Sequence, residues 1–143
     1  MFRDKFIRTE KMKKIMNLEK YKQYAPLVMR LALSFVFLWF GISQLINQEY
    51  FMGYLPGFLP NTANPTLFII LNGAAETILG ALLAIGLFTR IVAAILALHL
   101  LGIIISLGYN DIAIRDAGLM LVTVAQCIGG ADRWCLDYRR KNR

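Results

Sequence analysis

The amino-acid sequence reads as an all-α integral membrane protein, a four-helix bundle with both termini in the cytoplasm. Three features lead there. Four apolar stretches, 27–46, 67–87, 91–109 and 112–131, hold only four of the chain's 25 charged residues. Each stretch is 19 to 21 residues long, near the ~20 that a helix needs to cross a bilayer. The basic residues gather at the ends: eight of the 16 Lys and Arg lie in 1–24, five in 133–143 and none in 47–65. That asymmetry puts the ends inside and 47–65 outside. The 57% hydrophobic content of the 143 residues exceeds the ~45–50% of soluble domains. It excludes a disordered chain and argues against a soluble fold. The net charge of +7 sits in the tails, where it suits anionic lipid rather than nucleic acid.

The elements follow in order. Residues 1–26 are a basic lead. Its Phe2, Phe6, Ile7, Met12, Ile15, Met16 and Leu18 stand among lysines, which fits either a helix lying on the inner membrane surface or a loosely ordered tail. The lead is too long and polar for a cleavable signal, so 27–46 is a retained helix. Pro26 suits its first turn. The loop 47–65 holds three of the four prolines and Tyr50, Phe51, Tyr54 and Phe58. Such aromatics belong at headgroup level, in a short interfacial helix broken at Pro56-Gly57. Helices 67–87 and 91–109 are joined by three residues and must be antiparallel neighbours. Asn110–Asp111 makes the last two helices neighbours too. Residues 138–143 form a basic tail. Gly73, Gly80 and Ala84, with Ala93 and Ala97, mark faces that can pack closely. Cys127 and Cys135 are expected to be two unpaired thiols in a reducing compartment, and no metal site is expected.

Ionisable groups at membrane depth cost roughly 2.5–3.5 kcal/mol near a helix centre, so they head the list of functional candidates. Glu76 and His99 lie at about equal distances in sequence from the tight turn between their helices. Equal rise per residue then puts them at one depth, near the midplane. Asn72 and Gly80 extend a polar, small stripe on the Glu76 face. Arg115 and Asp116 lie one turn inside the outer boundary, and Arg115 is expected to reach toward Glu76. A second stripe on the first helix carries Arg30, Ser34, Gly41 and Gln44 within about 40° of one direction. Arg30 is expected to snorkel to phosphates. For Gln44, Asn72 and Gln126 the favoured role is to glue helices through hydrogen bonds, with a part in the polar site as the alternative. One histidine does not make a bis-histidine haem; a second copy or Met120 would have to supply the other ligand.

Four segments, RLALSFVFLWFGISQL (30–45), GAAETILGALLAIGLFTR (73–90), RDAGL (115–119) and GGADRWCLD (129–137), resemble those of DoxX membrane proteins, in that order over 27–137. Many members carry Lys where Gln44 stands. The resemblance implies a multi-pass protein of the cell membrane of a bacterium or archaeon. It also implies a link to quinone-coupled membrane oxidoreductases. On it rests the expectation of a small redox-associated subunit without its own redox centre, with quinone handled beside a protein partner. Glu76 and His99 would bind or protonate the quinone head, and Arg115 and Asp116 would organise the entrance. A proton-coupled transporter or exporter using Glu76, and a non-catalytic scaffold, are the alternatives. Membrane lipids are expected partners, and a homo-oligomer is open to this architecture.

Overall fold

A computed structural model of the chain describes residues 21–55 and 64–141. These residues are helical, with no strand among them. Four helices are long and apolar enough to cross a membrane: α1 (Ala25–Ile46), α3 (Pro65–Ile85), α4 (Thr89–Leu107) and α5 (Asp111–Gly129). A single-turn α2 (Gln48–Phe51) and a 3-10 turn (Met52–Tyr54) follow α1, and α6 (Leu136–Lys141) follows α5. The expected boundaries hold within about two residues, and local chemistry decides the rest. The Asn64 side chain accepts from the Leu67 N–H, and Pro65 opens α3, so the helix begins there rather than at 67. Gly86, at φ 72°, ends it in the left-handed region. Asn110 caps α5 by accepting from the Ala113 N–H at 2.8 Å.

The helices form a ring in the order α1, α3, α4, α5. The most extensive packing is α1 on α3 and α4 on α5; α3 with α4 and α1 with α5 touch less. The α3–α4 and α4–α5 turns are both three residues long, yet only the second joins an extensively packed pair, and α1 packs on α3 across a longer link. Glycines decide this. A Cβ on Gly41 would lie 2.5 Å from Thr77 Oγ1 and 2.8 Å from the Gly73 carbonyl oxygen, and one on Gly73 would lie 2.8 Å from Gln44 Cβ. The α1 and α3 backbones are thus in contact, as small residues allow in lipid, where dispersion rather than water release holds helices together. Phe35, Ile91, Ile105, Leu121 and Ile128 point outward, each more than half exposed. In water such a surface would aggregate; in a bilayer it meets acyl chains.

Two ends of the bundle differ. At one, here the α2 end, Tyr50, Phe51 and Tyr54 cluster with ring centroids 5.3 to 6.1 Å apart. These are three of the aromatics expected at headgroup level; the Pro56-Gly57 break and Phe58 lie outside the described residues, as do residues 1–20 of the basic lead. At the other, the turn end, the chain after α5 folds back over the α3–α4 turn. Leu33, Phe37, Leu83, Val92, Ala93, Leu96 and Leu100 pack into one buried cluster between that end and the bundle middle. The short α6 runs across the expected start of the tail at 138.

Candidate functional site

Glu76 is buried at the middle of α3 and receives three side chains. His99 Nε2 lies 2.8 Å from Oε1, Gln44 Nε2 donates to Oε2 at 2.8 Å, and Asn72 Nδ2 donates to Oε1 at 3.4 Å. Asn72 also donates to Gln44 Oε1 at 2.8 Å. The amides are therefore locked into one orientation, with their carbonyl and NH2 groups assigned by the network itself. One proton lies between Glu76 and His99, on either partner. Depth arithmetic from the tight turn put these two residues level, and the structure joins them.

This cluster lines a cavity of about 920 Å³ between the helix pairs. Its walls are apolar and aromatic, with Phe37, Trp39, Phe40, Phe51, Phe68 and Leu119 among them. The His99 side chain is 25% exposed. Arg115 and Asp116 line the same cavity, but Arg115 does not reach Glu76. Its Nε and NH2 each lie 2.9 Å from Asp116 Oδ1, and its guanidinium stacks 5.2 Å from the Phe40 ring centroid. Adjacent residues on one helix make the shorter bridge, and the aromatic face takes up the remaining charge.

The stripe on α1 divides between two sites. Gln44 belongs to the Glu76 cluster, whereas Arg30 sits at the turn end. Arg30 is only 2% exposed, so it does not snorkel. Its Nε donates to Asp132 Oδ2 at 2.7 Å, and NH1 donates to the carbonyls of Leu83 and Ala84. It thereby joins the Gly86 N–H on the Leu83 carbonyl and covers the Ala84 carbonyl at the open end of α3. Ser34 donates back to the Arg30 carbonyl at 2.8 Å. Asp137 treats the start of α4 likewise, accepting from the N–H groups of Phe88 at 2.9 Å and Thr89 at 2.7 Å and from Thr89 Oγ1 at 3.0 Å. Phe88 offers no capping side chain, so the cap comes from 48 residues away.

Asp132, Asp137 and Thr89 were not singled out as functional from the sequence. The available signal was a carboxylate two residues after the glycines that close the last span. Burial alone would push the Asp132 carboxyl up, but the hydrogen bonds from Arg30 and the Trp134 N–H outweigh it and hold its pKa below the ordinary value. Asp137 is lowered in the same way, against burial, by the Thr89 and Phe88 N–H groups. Cys135 is fully buried against Gly86, and burial pushes its thiol up. Both cysteines are free.

The DoxX family model matches residues 25–108. The chain belongs to the DoxX family. This DoxX protein is accordingly a multi-pass membrane protein. The matched span covers α1 to α4 and so includes Gln44, Asn72, Glu76 and His99; Arg115, Asp116 and the Asp132–Asp137 closure lie beyond it. No curated protein and no solved structure matches the chain.

Proposed function

We propose that this DoxX protein is a small quinone-handling subunit of a membrane oxidoreductase, seated in the cell membrane. The observation that carries the reading is the Glu76–His99 pair on the wall of a large apolar cavity. A quinone has an apolar ring and tail and a polar edge. That edge accepts hydrogen bonds when oxidised and also donates them when reduced. A carboxylate–imidazole pair sharing one proton can meet both states by moving that proton. Gln44 and Asn72 hold Glu76 without adding charge. Quinone reduction consumes two electrons and two protons; in this reading a partner subunit's redox centre exchanges the electrons, and Glu76 with His99 exchanges the protons.

The turn end favours this reading over a transporter. Alternating access would require opening the Arg30–Asp132 pair and the Leu83–Leu96 core, which are among the best-satisfied contacts of the bundle.

The test uses purified protein in mild detergent, with a short-chain benzoquinone titrated against tryptophan fluorescence. Trp39 lines the cavity, so quenching should saturate, and most of it should vanish in Trp39→Phe. Glu76→Gln should weaken binding at least tenfold at an unchanged melting temperature. In membranes holding the intact oxidoreductase, Glu76→Gln and His99→Ala should each abolish quinone reduction. The double variant should be little worse than either, as for residues acting as a unit. Absence of saturable quenching, or full activity of Glu76→Gln, refutes the proposal. Unfolding of Glu76→Gln would make Glu76 a structural residue instead.

A further inference from the structure

Polar groups on the cavity wall are distributed unevenly about Glu76. Toward the α2 end the cavity wall carries Ser43, Asn47, Tyr50, Ser106, Arg115 and Asp116. Toward the turn end lies the packed apolar cluster of Leu33, Phe37, Leu83 and Leu96. The hydroxyls in that half are already committed: Ser34 donates to the Arg30 carbonyl and Thr123 to the Leu119 carbonyl, each at 2.8 Å; Gln126 donates to the Gly130 carbonyl at 3.0 Å, and its buried Oε1, without a partner among the described residues, carries no exchangeable proton. Close-packed apolar side chains leave no room for water, and a proton needs water or a titratable group to move. Arg30 and Asp132, beyond the plug, are bonded to each other and to helix ends.

Asp116 stands on the polar side. It is buried, and Arg115 engages only its Oδ1; among the described residues no hydrogen bond reaches Oδ2. His99 lies eight residues before the end of α4 and Asp116 five after the start of α5. At 1.5 Å per residue, Asp116 is roughly 5 Å nearer the α2 end. The titratable or charged groups lining the cavity with the pair are Arg115 and Asp116 from α5, Tyr50 from α2 and Tyr54 from the 3-10 turn. From α1 the cluster receives neutral Gln44, and α3 adds no second titratable group there.

We propose that Glu76 and His99 exchange protons with one side of the membrane only, the side of the α2 end, and that Asp116 is the next station on that path. This deepens the quinone reading by fixing the side on which protons are taken up or released, but the sidedness itself needs no quinone. It also gives the turn-end seal a purpose, since a leak there would let protons cross the membrane.

His99 is the single histidine of the chain, so its ring is a specific probe. The full-length protein, labelled with 15N-histidine, is reconstituted without quinone into sealed liposomes. Vesicles of one orientation are selected through a C-terminal tag. The pH is then changed in one compartment, and the ring nitrogen signal is followed by solid-state NMR. The His99 signal should follow the compartment at the α2 end and ignore the other until a protonophore joins them. Asp116→Asn should slow proton exchange at the ring at least tenfold, and Asp116→Glu should restore it, with melting temperatures in detergent confirming both folds. A signal that follows the turn-end compartment, both compartments or neither overturns the one-sided path. Unchanged exchange in Asp116→Asn removes Asp116 from it. A one-sided response beside failed quinone quenching would keep the path and sink the quinone reading, so the two fail separately.

Discussion

Arg30 and Glu76 are both buried in lipid-spanning helices, and they are satisfied in opposite ways. Arg30 meets a full opposite charge and two carbonyls, a closed arrangement that leaves nothing to exchange. Glu76 meets two neutral amides and an imidazole whose proton can move. The first arrangement builds structure, and the second leaves chemistry open. Removing one partner of a buried pair strands the other charge, at a cost of about 3–5 kcal/mol. Asp132→Ala should therefore lower the detergent melting temperature steeply. The combined Arg30→Met, Asp132→Leu variant should recover most of the loss, because an apolar pair of similar size removes the stranded charge. A melting temperature unchanged in Asp132→Ala would show that the pair contributes no stability.

Helix ends carry the next level of organisation. The α3–α4 turn closes the end of α3 through the Gly86 and Leu87 N–H groups but gives α4 no capping side chain, so Arg30 adds to the α3 carbonyls and Asp137 covers the α4 N–H groups. A carboxylate at a helix start also gains from the macrodipole. Because Asp132 and Asp137 both titrate below their ordinary values in the folded chain, the unfolded chain binds more protons between the two pKa values. Stability there rises with pH. The contribution is complete above the unfolded value of about 3.9 and disappears as pH falls through the folded values. Thermal melts in detergent should show this acid loss below about pH 4. It should be smaller in Asp137→Asn, which is less stable than the parent at neutral pH and keeps less to lose on acidification. An identical acid profile in both proteins would contradict the capping role.

Across the whole molecule, two helix pairs meet at a sealed turn end and separate around a cavity toward the α2 end. Four crossings return the chain to the side from which it started. With thirteen basic residues near the ends and none in 47–65, the positive-inside bias predicts that this side is the cytoplasm. Reporter fusions at residue 143 should read cytoplasmic and those near residue 60 external. An external C-terminus would invert the membrane orientation of the cavity and of the proposed proton path.

The spans were legible in the sequence because length and hydropathy are local properties that water and lipid sort directly. The level placement of Glu76 and His99 was legible too, since a three-residue turn makes depth a matter of counting. Rotation about each helix axis was not. Hydropathy tells lipid from interior only coarsely, and it did not separate Gln44, which faces Glu76, from Arg30, which faces Asp132. Nor did it decide between Glu76 and Asp116 as the partner of Arg115. Arg30 and Asp132 are 102 residues apart, so nothing local links them. The closure over the α3–α4 turn and the cavity with its polar lining exist only once the helices have packed. Glycine contacts between α1 and α3 set how close those helices lie, and long-range hydrogen bonds complete the ends that the chain leaves open.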